Sequence, residues 1–285
     1  MPELPEVQTI VDDLNRKIKG DTVICFWTDW KKSVKTPVEE FVHGIKGRKI
    51  LAARRTGKNI FLDLFGGKTI YIHLKMTGHL LVKSEKLKVK SVGKDFFGEK
   101  VNQYIHHIFY LKSGRTLEFS DLRKFGKIIL SDTDKVGKIK EIRELGVDAM
   151  SKDFTFEKLD EILDKRKTKL KLLLMDQQKI SGIGNIYANE ILFEAGILPT
   201  RQAVDTKKEE RNKLFHAIKK VLEKATKLRG TSDSDYRDTS GAPGKFQEVL
   251  RVYRRVGKKC SKCGTIVQRT TLGQRGTFFC SKCQT

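Results

Sequence analysis

Long apolar runs are missing from this chain of 285 residues. The longest is the five residues Val23–Trp27, far short of the roughly 18 that a membrane span requires. The amino terminus, Met-Pro-Glu-Leu-Pro-Glu-Val, carries acids where an export signal would carry lysines, so no such signal is expected. Cysteine is scarce. Five residues are too few for a disulfide scaffold, and four of them form two Cys-x-x-Cys pairs near the end, which reads as intracellular metal binding and a cytoplasmic location. Acids are outnumbered: 35 Asp and Glu face 58 Lys and Arg, a formal net charge of +23. A polyanion relieves the self-repulsion of so basic a protein, and nucleic acid is the commonest one. A lysine-rich composition, spread over solvated faces, accounts for part of that charge without any site.

Hydrophobic residues make up 38% and aromatics 8%, enough for a real core, and the length suits two domains of ordinary size. Residues Pro5 to Gly20 predict an amphipathic helix, with Val7, Ile10, Val11, Leu14 and Ile18 at helical spacing. Strands follow. Ile60–Leu64 and Thr69–Leu74 flank the hairpin turn Phe65-Gly66-Gly67-Lys68, a second hairpin lies between His107–Leu111 and Thr116–Phe119, and Lys49–Arg54 and Lys127–Leu130 add two more strands. Ser84–Asn102 reads as a polar surface loop. From about Asp134 the texture is helical: Ile186–Ala195 is one helix, and Leu214, Ile218, Val221, Leu222, Ala225 and Leu228 trace the apolar face of another. Arg229–Gly244, rich in Gly, Ser, Thr and Asp, predicts a long flexible loop of the kind that is often functional.

Cys260-x-x-Cys263 and Cys280-x-x-Cys283, sixteen residues apart, match a four-cysteine zinc site, each pair forming a knuckle. Four thiolates leave no open position, so this metal is expected to be structural. Cys25, alone among apolar residues, reads as core filler. From Lys245 to the end, ten Lys and Arg accompany one acid, a net +9 that suits a phosphate backbone, and Arg275 lies within this module. Gly182-Ile183-Gly184-Asn185 before a helix offers backbone N–H groups to a phosphate. It is equally a plain turn between helices, and Tyr187 stands where a dinucleotide-binding fingerprint needs glycine. At the amino terminus, loss of Met1 would leave the secondary amine of Pro2 beside Glu3. An α-amino group, with pKa near 8, is neutral far more often than a lysine and can attack an electrophilic carbon, although proline at position 2 is frequent and usually inert.

Taken in order, MPELPEVQT, GKN at 57–59, HLKMTG at 73–78, DLRKFG at 121–126, GIGNIYANE at 182–190 and the terminal cysteine pattern resemble the formamidopyrimidine-DNA glycosylase family across essentially the whole chain. The resemblance implies an α+β fold. An N-terminal helix plus β-sandwich would span residues 1–133, a helical helix–two-turn–helix domain 134–245, and a zinc-finger hairpin 246–285. It implies a monomeric, bifunctional DNA glycosylase and AP lyase of base excision repair. Such an enzyme takes double-stranded damaged DNA, excises oxidised purines, holds one structural zinc and needs no catalytic cofactor. Pro2 would be the nucleophile that forms a Schiff base with C1′, followed by β,δ-elimination. Glu3 would shuttle protons, Glu6 would support the site, and Lys58 would contact phosphate and assist catalysis. Asn185 and Arg275, aided by Lys171 and His73, would clamp phosphates, while Met76, Arg123 and Phe125 fill the gap left by the flipped base.

The sequence departs from the family pattern at Leu122 and Lys124, where Pro and Arg are common, and at Ile105-His106-His107, a loose match to a His-Asp-His segment. Two other readings stand beside this one. The related endonuclease VIII type acts on oxidised pyrimidines, but Leu4 stands where that branch usually carries glycine. A non-catalytic zinc-containing DNA-binding protein would explain the charge and the cysteines, but not Pro2-Glu3 together with Lys58. A metallo-hydrolase is excluded because His73, His106 and His107 lack ligand spacing with any acid.

Overall fold

Apolar residues at helical spacing carry the first helix, α1, over Leu4–Lys17, and bury Val7, Ile10, Val11 and Leu14. Its start is locked chemically. The Glu3 side chain accepts from the backbone of Glu6, the Glu6 carboxylate accepts from the backbone N–H of Glu3, and Pro5 lies in the first turn, where no N–H is missed. The computed structural model describes residues 1–84 and 96–285. These form two compact units, one of residues 1–143 with 228–245, the other of 144–227 with 246–285.

In the first unit β1 (Val23–Thr28), α2 (Val38–Ile45), β2 (Ile50–Thr56), β3 (Asn59–Leu64), β4 (Lys68–His73), β5 (His79–Ser84), β6 (Ile105–Leu111), β7 (Arg115–Ser120), β8 (Lys127–Asp132) and the short α3 (Lys140–Arg143) follow α1. The strands form two antiparallel four-stranded sheets, ordered β1-β6-β7-β5 and β2-β3-β4-β8. One apolar cluster joins α1, α2 and both sheets through side chains such as Ile10, Leu14, Phe41, Ile60, Ile72, Phe109 and Phe119. Each such side chain contributes about 1.5–3 kcal/mol when fully buried. The expected sandwich and both hairpins are present. Cys25 corrects one expectation: it is exposed, because a bulge between Val23 and Cys25 breaks the alternation of β1 and leaves Ile24 and Cys25 both outside, with Val23 and Phe26 buried. The surface-loop reading of Ser84–Asn102 falls mostly on residues 85–95, outside the described residues. At its far end Asn102 is buried and bonded to His79 Nε2 at 2.9 Å.

Residues 228–245 also differ from expectation. They join the first unit rather than the helical one, and hydrogen bonds to α1 hold them. Arg229 Nη2 donates to Asp13 at 2.5 Å, Thr239 Oγ1 to Asp13 at 2.9 Å, and the backbone N–H of Thr231 to Glu6 at 2.6 Å, with Tyr236 buried among them. Burial alone would raise the Asp13 carboxyl, but the Arg229 guanidinium overcomes it and holds that carboxyl below its ordinary value.

The second unit pairs two parallel residues of β9 (Val147–Asp148) with β10 (Ile180–Ser181), and packs α4 (Phe156–Leu163), α5 (Leu170–Met175), α6 (Asn185–Ala195) and α7 (Lys208–Lys227). As the spacing predicts, Leu214, Ile218, Val221, Leu222 and Ala225 of α7 are buried. A hairpin of β11 (Gln268–Leu272) and β12 (Arg275–Phe279) sits between the cysteine pairs. The finger belongs to the helical unit rather than standing alone.

Candidate functional site

In the first unit the chemistry-bearing residues gather at one end of the sheet β2-β3-β4-β8. Glu3 and Glu6 are 3% and 1% exposed at the amino-terminal end of α1, whose unpaired N–H groups favour negative charge. Pro2 is buried directly before them. Arg55 of β2 ties the helix to the neighbouring hairpin: its Nε donates to Gln8 Oε1 and its Nη1 to the carbonyl of Gly57, at 2.8 and 2.9 Å. That hairpin is two residues long. Gly57 takes φ of +57° while Lys58 keeps a negative φ, as a type II′ turn requires, and Lys58 is thereby held 7% exposed at the tip. Tyr71 and Thr56 fix the next residue, Asn59, which accepts from the Tyr71 hydroxyl and donates to the Thr56 carbonyl.

His73 ends β4 on the same side. Burial, with the charges of Lys75, Lys58 and Lys127, pushes its imidazole down to about 3, so it is neutral near pH 7. Its Nδ1 accepts the backbone N–H of Lys75 at 2.9 Å. The proton therefore sits on Nε2, a neutral donor that lysines close by do not repel.

Two turns carry Met76, Arg123 and Phe125, and one side chain missed in the sequence reading organises both. Asp121 is fully buried. Its carboxylate accepts from the Thr77 hydroxyl of one turn and, in the other, from the backbone N–H groups of Arg123, Phe125 and Gly126, the last two at 2.9 and 2.8 Å. The signal was its place at the head of DLRKFG. So held, the Arg123 guanidinium lies 4.6 Å from the centre of the Phe125 ring and donates to Met76 Sδ at 3.1 Å, while Met76 and Phe125 stay 40% and 50% exposed. Exposed apolar side chains on a braced arginine are suited to contact an aromatic partner. His106 and His107 belong elsewhere: His106 pairs with Asp29 at 2.8 Å, and the buried His107 bonds to Ser33 Oγ at 2.7 Å.

In the second unit, Gly182 (φ +106°) and Gly184, which precedes α6, shape the approach to that helix. Asn185 opens α6, and its buried side-chain oxygen lacks a hydrogen-bond partner among the described residues. Arg275 is exposed at the start of β12, beside a turn in which Gly273 and Gln274 both take positive φ, the type I′ geometry. Lys171 of α5 lies against the same strand. It is fully buried, and its Nζ donates at 2.8 Å to both the Gly276 carbonyl and the Thr277 hydroxyl. Its charge braces the strand beside Arg275 instead of facing outward.

Two further polar ties, not foreseen, secure the finger to α6. Asn189 Oδ1 accepts the Phe278 N–H at 2.8 Å, and the buried Glu190 accepts from the backbone of Arg251, Val252 and Tyr253. Burial nonetheless pushes the Glu190 carboxyl above its ordinary value.

The sulfurs of Cys260, Cys263, Cys280 and Cys283 all lie within 4.8 Å of one another, with 260–283 at 3.9 Å and 263–280 at 3.5 Å. A tetrahedron of thiolates about 2.3 Å from zinc has edges of about 3.8 Å, so the four residues fit that ion. Among the described residues no helix is long and apolar enough to cross a membrane.

Family models agree with this architecture. The chain matches the formamidopyrimidine-DNA glycosylase N-terminal domain over residues 1–128, the H2TH domain of the same enzymes over 145–236, and the zinc finger found in FPG and IleRS over 257–285. The formamidopyrimidine-DNA glycosylase of Pelotomaculum thermopropionicum is 38% identical over 285 residues, covering 100% of this chain and 99% of that one. The Lactococcus lactis Fpg, solved with DNA containing an abasic site, superposes with a TM-score of 0.86 at 29% identity, covering 99% of each chain. MutM, solved with DNA containing carbocyclic 8-oxo-G, gives 0.85 at 30% identity with the same coverage. With identity of this order along the full length, and with each element of the fold in its place, the chain belongs to the formamidopyrimidine-DNA glycosylase family.

Proposed function

We propose that the protein excises oxidised purines from duplex DNA and then cleaves the strand, with Pro2 as nucleophile. The observation that carries this reading is the locked amino-terminal end of α1. There the residue with the nucleophilic nitrogen is buried beside two buried carboxylates and next to a hairpin that presents Lys58. Once Met1 is removed, the Pro2 nitrogen attacks C1′ of the damaged nucleotide, the N–C1′ bond forms, and the base leaves with a proton. Glu3 supplies and recovers protons at the sugar. The C1′–O4′ bond then opens with a proton going to O4′, leaving an iminium; this acidifies a C2′ hydrogen, whose loss expels the 3′ phosphate, and then, through the new alkene, the C4′ hydrogen, whose loss expels the 5′ phosphate. Glu6, engaged by the backbone of Glu3 and Thr231, keeps the nucleophile's neighbourhood in register.

Lys58 and neutral His73 in the first unit, and Asn185 and Arg275 in the second, hold phosphates, with Lys171 positioning Arg275. Met76, Arg123 and Phe125 act as the wedge that occupies the vacated stack, offsetting an unstacking cost of a few kcal/mol. The structural zinc folds the finger and takes no part in bond making. Oxidised purines are favoured over pyrimidines by Leu4, and by relatives solved with DNA containing Fapy-dG or 8-oxo-G. One Lactococcus lactis relative was also solved with an oxidised pyrimidine, so lesion preference is part of the test.

Borohydride should trap a covalent adduct with an 8-oxoguanine duplex, and mass spectrometry should map it to residue 2 of a chain lacking Met1. An adduct on a lysine would reject Pro2. Faster excision of thymine glycol than of 8-oxoguanine would move the enzyme to the pyrimidine branch.

A further inference from the structure

The first unit contains a groove of about 620 Å³ that shares Met76 and Phe125 with the wedge but whose lysine-lined side the reaction above does not use. Five of its ten lining residues are lysines, 32, 35, 75, 124 and 127, and none is acidic; Trp30, Met76 and Phe125 supply its apolar surface. The groove is built before any ligand arrives. Trp30 donates its N–H to Thr28 Oγ1, accepts from both the backbone and the hydroxyl of Ser33, and stacks on buried His107 at 5.8 Å. Ser33 is itself held by His107. Lys75 and Lys124 occupy left-handed backbone positions, φ +54° and +55°, where glycine would be free of strain. Lysine in both places adds charge at the rim despite the backbone cost. Lys127 is engaged by Glu141, and Lys35 donates to the Lys32 carbonyl, so the walls are braced as well as charged.

Sheet order fixes where this groove lies. Thr56 pairs with Asn59 across the Lys58 turn, Ile60 with Ile72, His73 with Lys127, and Val34 bridges to Ile128. Lys58, His73, Lys127 and the Trp30–Lys35 segment therefore follow one another along one end of the sheet. The two turns of the wedge arise between the flanks. With strands about 4.8 Å apart, the flanks are separated by roughly 15 Å, a distance on the scale of a duplex groove.

We propose that this groove seats the sugar–phosphate backbone of the strand opposite the lesion. The proposal rests on the reading that the protein flips a nucleotide from duplex DNA. A wedge in the vacated stack has the flipped nucleotide on its Lys58 flank, so the far flank meets the other strand. Phosphates take the lysines and a sugar face takes Trp30.

The test uses full-length zinc-loaded protein, the double variant Lys32→Ala/Lys35→Ala, and an 8-oxoguanine oligonucleotide either as a duplex or alone. Both lysines are exposed and outside the catalytic set. Two lost phosphate contacts should flatten the slope of log affinity against log salt by nearly 2 units on the duplex. That is about tenfold less affinity lost between 50 and 200 mM salt. The slope on the lesion strand alone should not change. Single methylphosphonates walked along the opposite strand should weaken wild-type binding at one or two positions next to the orphaned base, and have no effect there in the variant. An unchanged duplex slope with active wild-type enzyme overturns the groove assignment alone, as does an equal change on the single strand. Wild-type protein that neither binds nor incises the duplex overturns the functional reading and the groove together.

Discussion

In the first unit Glu3, Glu6 and Lys58 are buried at one end of an apolar sandwich, with Met76 and Phe125 exposed beside them, and its histidines and Asp121 are neutral or internally compensated: His73, His79 and His107 are all held below their ordinary pKa, and Asp121 is saturated by donors from its own and a neighbouring turn. In the second unit polar ties that cross long stretches of chain do the corresponding work. Lys171 reaches Thr277, Asn189 reaches Phe278, Glu190 reaches Val252 and Tyr253, and four thiolates gather around a metal site. The difference follows from size and shape. A two-sheet sandwich encloses enough apolar area to fix its loops, whereas a two-stranded hairpin has one thin face and is marginal by itself. Its position has to come from metal ligation and from donors and acceptors that are costly to leave unmade.

Metal removal should break this comparison most sharply. Structural zinc supplies on the order of 10 kcal/mol in finger peptides, so chelation or Cys263→Ser should unfold residues 260–283. Amide hydrogen exchange should show the protection of β11 and β12 lost while β3, β4 and β7 keep theirs. Loss of protection in the sandwich as well would show that the first unit is not autonomous. The salt slope for duplex binding should fall by about 0.9 for each phosphate contact that disappears with the finger.

A smaller and more local effect is expected at Lys171. Lys171→Met keeps the length and apolar stem but strips the Gly276 carbonyl and the Thr277 hydroxyl of a donor, at a cost of about 2–4 kcal/mol. If Lys171 braces Arg275, the variant should lose about as much salt slope as Arg275→Ala while retaining zinc, and the two changes combined should not add. If Lys171 instead contacts phosphate directly, the losses should be additive, because independent sites add.

How far the sequence was legible differs between the two units for the same physical reasons. Regular periodicity exposed α1, α7 and both hairpins of the sandwich, and cysteine spacing exposed the zinc site. The strap of residues 228–245 was not legible, because Arg229, Thr231 and Thr239 are polar residues whose partners lie on α1 more than 200 positions away, while Asp238 bonds within the strap to Arg229, Ser240 and Ala242. A loop closed by such bonds has no hydrophobic period and reads as flexible. The setting of Lys171 was hidden for a similar reason: it lies in none of the recognised motifs, and its acceptors, Gly276 and Thr277, are more than 100 positions away. Asp121 stood in plain view within DLRKFG, but its role depends on a turn forty-four residues earlier, where Thr77 lies. The Lys58 turn entered the sequence reading only through the GKN motif, and the hairpin that it closes between β2 and β3 was not foreseen.

The finest distinction between the units concerns acid. His107 is buried against Phe26 and Trp30, and burial, then the neighbouring His106, pushes its imidazole down to about 4. An unfolded histidine titrates near 6.5, so between pH 6.5 and about 4 the unfolded chain binds the proton and the folded one does not. Stability of the first unit is therefore full above 6.5 and falls as pH drops toward 4, by up to about 1.4 kcal/mol per pH unit from this group. His107→Gln, which retains a polar partner for Ser33, should lower stability at pH 7.5 yet flatten the decline between 6.5 and 5. Exchange of β1 and β6 amides, corrected for intrinsic rates, reads this without involving the finger. Glu190, raised by burial in the second unit, contributes with the opposite sign, its stabilisation being lost as pH rises through its folded value. Helix α6 should therefore show no added acid sensitivity in the His107 variant, and a flattened response in α6 equal to that in β1 would mean that the two units unfold as one.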